Sequence, residues 1–154
     1  MALYSLGLQT FATSAAGFII EYAAGMKPFR LLELSGTYVP GVTGSYTLTR
    51  PVIVGAGPVG PVLFQPDNPS TPPATTTAAI QWSGAPRVKP DPTVGVALDA
   101  RIRLTTMGSS QAGGFLWSFP GGLVIKPYNS VGIWGFNSSG VALLNLNCII
   151  EESN

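Results

Sequence analysis

From Val94 to Thr105 apolar and polar residues alternate with a period of two. Val94, Val96, Leu98, Ala100, Ile102 and Leu104 share one parity, while Asp99, Arg101, Arg103 and Thr105 take the other. An extended strand with one buried and one wet face produces that pattern, which belongs to antiparallel sheets rather than doubly covered parallel ones. Shorter stretches repeat it. Phe18, Ile20 and Tyr22 alternate with Ile19 and Glu21; Tyr46 and Leu48 alternate with Ser45, Thr47 and Thr49; Ile80 and Trp82 follow the Thr-rich Thr75 to Thr77. Residues 115–119, 123–125, 131–136 and 142–151 predict four more strands. Their joints, Gly121-Gly122, Pro127-Tyr128-Asn129-Ser130 and Asn137-Ser138-Ser139-Gly140, have turn and hairpin chemistry. In the last strand Leu144, Leu146, Cys148 and Ile150 take the buried side and Asn145 and Asn147 the outer one, which makes the thiol an inert core group.

The 19 glycines and 14 prolines are spread along the chain at intervals that suit strands. A short helix over 12–24 is the alternative there, because the stretch is Ala-rich, but Gly17, Gly25 and the β-branched residues weaken it. Residues 55–73 carry prolines at 58, 61, 66, 69, 72 and 73, which excludes a helix or a central strand. A proline-rich surface loop is predicted, lying along the domain or reaching a neighbour. A second proline cluster, Pro86, Pro90 and Pro92, precedes the long strand. With 154 residues the chain reads as one domain, 1–154, large enough for a proper core, all-β and antiparallel.

Composition removes most chemistry from consideration. With no histidine there is no Ser-His-Asp or Cys-His activation and no imidazole metal ligand. The single cysteine excludes an internal disulfide and a thiolate metal cluster. A net charge of +1 offers polyphosphate no basic field, so nucleic acid is not an expected partner. No apolar run approaches a membrane span, and residues 1–13 lack a basic leader region, so a soluble, unprocessed chain is expected. Charged residues make up only 10% of the chain, against about 25% ordinarily. Between Leu104 and Ile150 the only charged residue is Lys126, in a stretch that also holds Phe115, Trp117, Phe119, Trp134 and Phe136. So much apolar surface on one small domain implies that another chain covers part of it, with Trp117, Trp134 and Phe136 as the candidate oligomer interface.

Three motifs carry possible chemistry. Gly55-Ala56-Gly57-Pro58-Val59-Gly60 after an apolar run matches the dinucleotide fingerprint G-x-G-x-x-G. The match fails physically: Pro61 follows at once, so the phosphate-binding helix cannot form, and Thr75 to Ile80 lacks the acidic residue that would hold the ribose. Seven carboxylates could include a glycosidase pair, with Glu33 the best candidate for partial burial, although pairing with an arginine is the commoner fate. Glu151-Glu152 reads as a solvated end. Trp82, Trp117, Trp134 and Tyr128 could stack on a sugar, but aromatics on period-two strands more often belong to a core or an interface, and there is no Asp-rich calcium loop beside them. No catalytic, cofactor-binding or metal-binding residue is assigned.

Residues 114–127, 131–136 and 144–152 resemble the closing strands of small jelly-roll proteins of tailed-phage virions, the capsid decoration or cement proteins being the nearest type. Residues 29–50 are a weaker match. The resemblance implies a jelly-roll-like β-sandwich of about eight strands that trimerises and sits on the outer capsid surface. There it would hold adjacent major capsid protein subunits together without catalysis. It carries no functional residue across. Such a role agrees with the charge-poor composition, since a protein touching several shell subunits ties their separation to the loss of several interfaces. Residues 1–13 are then a candidate extended N-terminal arm, with Tyr4, Leu6 and Leu8 as candidate capsid contacts. The rival expectations are a glycan- or host-binding module of a phage fibre or tail, and a small hydrolase.

Overall fold

The β-branched and aromatic residues of the alternating stretches form strands throughout a computed structural model that describes residues 1–9, 17–38, 44–50, 58–83, 100–107, 113–137 and 144–153. In chain order these are β1 (Ala2–Gln9), β2 (Gly17–Ala23), β3 (Phe29–Tyr38), β4 (Gly44–Arg50), β5 (Pro58–Leu63), β6 (Gln65–Pro66), β7 (Thr77–Ser83), β8 (Ala100–Met107), β9 (Gly113–Ile125), β10 (Ser130–Asn137) and β11 (Leu144–Glu152). There is no helix among the described residues. One antiparallel sheet runs β6-β1-β11-β3-β9 and the other β5-β7-β2-β10-β4-β8. They share one core, in which Tyr4, Leu34 and Ile150 of the first sheet and Tyr22, Leu48 and Ile133 of the second are all buried.

Every pairing joins strands that are not successive in the chain. The hairpins expected near the C-terminus are therefore replaced. Gly121-Gly122 lies inside β9, and residues 126–129 carry the chain from β9 in one sheet to β10 in the other. Residues 138–143, between β10 and β11, lie outside the described residues, but those two strands also belong to different sheets. Apart from β4 to β5 and β7 to β8, successive strands lie in different sheets, so the chain leaves a sheet after most strands and pairs each with one that is not its neighbour in sequence.

Two other expectations are revised and one alternative falls away. Over residues 2–9 the N-terminal arm is a strand, β1, inserted between β6 and β11 and paired from Ala2↔Glu152 to Gln9↔Asn145. The proline-rich stretch contributes β5 and β6, each at the outer edge of its sheet, where a missing N–H breaks no internal ladder. Residues 17–23 are strand, which removes that part of the helix alternative. Of the 94–105 alternation, β8 is described from Ala100; residues 94–99 lie outside the described residues, as do 10–16, 51–57 and the prolines at 86, 90 and 92.

A bulge decides which residues of β3 are buried. Strict alternation from Phe29 and Leu31 would turn Glu33 into the core. Against β11, Ile150 faces Leu31 while Ile149 faces Glu33, so Leu32 is an extra residue and the parity flips. Leu34 is then fully buried and Glu33 half-buried on the other side. On the β9 flank Leu31 faces Leu123 and Glu33 faces Ser118, and the surplus β9 residues are absorbed at Gly121 and Gly122, both at φ 77°. A Cβ on Gly121 would meet nothing, whereas one on Gly122 would lie 2.7 Å from Cβ of Arg30. Alanine is therefore expected to cost about 1 kcal/mol at Gly121 and about 3 kcal/mol at Gly122, as read from urea midpoints. Equal costs at the two positions would mean that the steric contact contributes nothing.

Candidate functional site

The carboxylates come first, because acid–base chemistry would need them free. Glu152 ends β11 and is buried rather than a solvated end. Its carboxylate accepts from the Thr75 amide at 3.0 Å on both oxygens, from the Thr76 amide at 3.0 Å, and from the Thr75 and Thr76 hydroxyls at 3.1 and 2.8 Å. That latch ties the end of one sheet to the entry of β7 in the other. Beside it the Tyr4 hydroxyl donates to the Pro72 carbonyl at 2.9 Å, and burial, then the charge of Glu152, raises its pKa. The Asp67 carboxylate accepts from the Ser5 hydroxyl at 2.6 Å, and Glu151 lies 3.9 Å from Arg30. The arginine that pairs is thus matched to Glu151 rather than Glu33. No group of three or more acidic or thiol side chains suited to a metal is found among the described residues.

Inside the core, Cys148 and Tyr22 are both buried, the thiol free. Burial pushes the Cys148 thiol well above its ordinary range; burial, then Cys148, does the same to the Tyr22 phenol. Among the described residues the Tyr22 hydroxyl finds no hydrogen-bond partner, and the ring packs against Phe64 with centroids 6.0 Å apart. A thiol held protonated is a poor nucleophile, which agrees with the inert reading from the sequence.

Among the described residues, apart from Val62 and Leu63 on the edge strand β5, exposed apolar side chains gather on two surfaces. The outer face of the five-stranded sheet is built in rows by the register: Leu3, Glu151, Arg30 and Val124; then Ser5, Ile149, Glu33 and Ser118; then Gly7, Asn147, Ser35 and Leu116; then Gln9, Asn145, Thr37 and Gly114. Leu3, Val124 and Leu116 are 45%, 46% and 60% exposed there, and the Gln9 amide donates to the Asn145 side chain at 2.8 Å. The second surface is a tip where the 24–28 loop meets the 126–129 loop. The Ala24 amide donates to the Asn129 carbonyl at 2.9 Å, and the Tyr128 amide to the Gly25 carbonyl at 3.1 Å. Met26 and Tyr128 project from it.

The expected contact residues fall in several places. Tyr4 and Leu6 are core residues, and Leu8 is partly buried against that core, so none of the three presents a free side chain as a capsid contact. Alternation along β1 offers Leu3 to the outside instead. Trp117 is half-buried on the edge strand β9, packed on the core and on Phe115 at 4.4 Å between ring centroids. Trp134 and Phe136 lie on β10, an interior strand paired with β2 and β4; their side chains, like that of Trp82, lie outside the described residues. Of the four aromatics considered as a sugar platform, Tyr128 is an exposed one, on a loop rather than a strand. The parity of β11 places Glu152 on the buried side, but nothing in strand periodicity marks its partners Thr75 and Thr76 or the tip; the Gly-Met-Lys-Pro and Lys-Pro-Tyr-Asn loops were the available signal for the latter.

No protein-family model, no curated protein and no solved structure matches the chain. No helix among the described residues is long and apolar enough to cross a membrane.

Proposed function

We propose that this protein is a non-enzymatic virion component, a jelly-roll-like sandwich that trimerises on the outer surface of a tailed-phage head and bridges major capsid protein subunits. The observation that carries the reading is the outer face of the five-stranded sheet. Across its rows the ionised groups are the Arg30–Glu151 pair and Glu33, with Asp67 bonded to Ser5 at the β6 edge, while Leu3, Leu116 and Val124 stand exposed among small hydroxyl and amide residues. Such a face loses little by desolvation and gains by contact, which suits adhesion.

The strand order supports the jelly-roll part. Without β5, β6 and β7 the sheets reduce to β1-β11-β3-β9 and β2-β10-β4-β8, eight strands that cross between two four-stranded sheets at every step except β4 to β8, which pair in one sheet. The proline-rich segment then adds strands to the outer edges. Among the described carboxylates, Glu152, Glu151 and Asp67 are each engaged with a partner within the fold, which supports a structural use for these three.

Heads prepared with and without the protein test the role: shells lacking it should fail at a lower temperature, and light scattering of the free protein should give about three times 16.0 kDa. Equal failure temperatures would remove the cement role; a monomer at micromolar concentration would remove the trimer. The second reading, a glycan-binding module, is favoured by the exposure of Tyr128 on a loop. Saccharide binding that disappears in Tyr128→Ala would select it.

A further inference from the structure

Tyr128 occupies a backbone conformation that a tyrosine has no local reason to adopt. Its φ is 59°, in the left-handed region where glycine or asparagine costs least, and the residue is 78% exposed. The ring therefore does little for the fold. Met26, 73% exposed, stands on the facing loop.

The platform beneath them is firm. Besides the two bonds between the loops, the Asn129 amide donates to the Lys126 carbonyl at 3.1 Å and the Asn129 side chain to the Pro127 carbonyl at 3.1 Å. Gly25 packs so closely on Thr75 that a Cβ would lie 2.7 Å from the Thr75 carbonyl oxygen, which seats the tip on the residue held by Glu152. Lys27 adjoins Met26 and Lys126 lies two positions before Tyr128; the chain's remaining lysine is Lys89, and neither loop contains an acid.

We infer that this tip is a docking site for another protein, with Tyr128 and Met26 entering a shallow apolar hollow and Lys27 and Lys126 facing carboxylates around its rim. The inference rests on the capsid reading and adds to it the end of the molecule that meets the shell. Tyrosine is a frequent anchor at interface centres, and methionine adapts to an irregular surface. The alternatives fit less well. Anionic membranes are recognised by clusters of four or more basic residues, a neutral glycan has no use for the lysines, and a second copy's tip would bring like charges together.

The experiment measures binding of labelled protein to tailed-phage heads assembled without it, across a salt series, with a glycan array and phosphatidylserine vesicles as parallel arms. Wild type should bind the heads, more weakly as salt rises. Lys27→Glu with Lys126→Glu should weaken binding about tenfold and flatten the salt dependence, while Arg103→Gln, a cation lost elsewhere, should not. Tyr128→Gly should weaken binding about thirtyfold and leave the melting temperature unchanged or higher, which separates a binding role from a folding one. If wild type binds and the tip variants bind equally, the tip is overturned and the capsid reading survives. If wild type binds no head at any salt, the capsid reading falls and takes the tip with it. Binding to vesicles, or to a glycan in a manner sensitive to Tyr128 and indifferent to the lysines, would also overturn the inference.

Discussion

Glu152→Ala is expected to destabilise the protein by about 3–5 kcal/mol, because two backbone amides and two hydroxyls lose a charged acceptor at about 1–3 kcal/mol for each donor left buried without a partner. Glu152 is 1% exposed, and its carboxylate accepts from two backbone amides and two hydroxyls. Its removal leaves the Thr75 and Thr76 amides without that acceptor in a region where Thr76 is fully buried. Glu152→Gln keeps the shape and one acceptor but turns an NH₂ toward donors, so about 2–3 kcal/mol is expected. Thr76→Val removes the shortest of the bonds, 2.8 Å, and should cost about 1–2 kcal/mol. Urea midpoints at constant m would measure all three. A double-mutant cycle of Glu152→Gln with Thr76→Val should show clear non-additivity. If Glu152→Ala costs under 1 kcal/mol, the carboxylate is solvated in solution and the latch does not hold the sheets.

The second large effect is alkaline. Burial raises the Cys148 thiol well above its ordinary 9.0, and burial with the neighbouring thiol raises the Tyr22 phenol well above 10.0. The folded chain keeps these protons at a pH where the unfolded chain releases them. Stability is thus fully present below about pH 9 and falls as pH rises, by about 1.4 kcal/mol per pH unit for each group titrating only in the unfolded state. From pH 8 to pH 11 the thiol and the phenol together should remove about 4 kcal/mol, and Tyr4, raised in the same direction, adds to the loss. Melting temperature against pH is the measurement. Tyr22→Phe deletes a buried hydroxyl without a partner among the described residues and should be neutral or stabilising by about 1 kcal/mol at pH 7. Combined with Cys148→Ala it should remove most of the alkaline slope; an unchanged slope would place the titrating groups elsewhere.

The two effects also show where sequence reading stops. On β11 the alternation of Leu146, Cys148 and Ile150 with Asn145 and Asn147 correctly places the thiol inside, because side-chain parity along a strand is a local property. Two residues further the same parity puts Glu152 inside too, and a charge there looks implausible until its partners appear 76 and 77 positions away. Glu33 is the opposite case: parity would bury it, and the extra residue Leu32 turns it out.

By itself, then, the order of residues determined that this chain builds antiparallel strands, where several of them lie, and that histidine-based chemistry is closed to it. These follow from period-two patterning and composition, which need no knowledge of neighbours. Only the tertiary structure decided that β1 is an inner strand, that Tyr4 and Leu6 are core, that proline-rich segments cap both sheets, and that two distant loops make one tip. The reason is that every strand here pairs with a segment remote in the chain, and a pairing is a property of two segments at once, absent from the pattern of either.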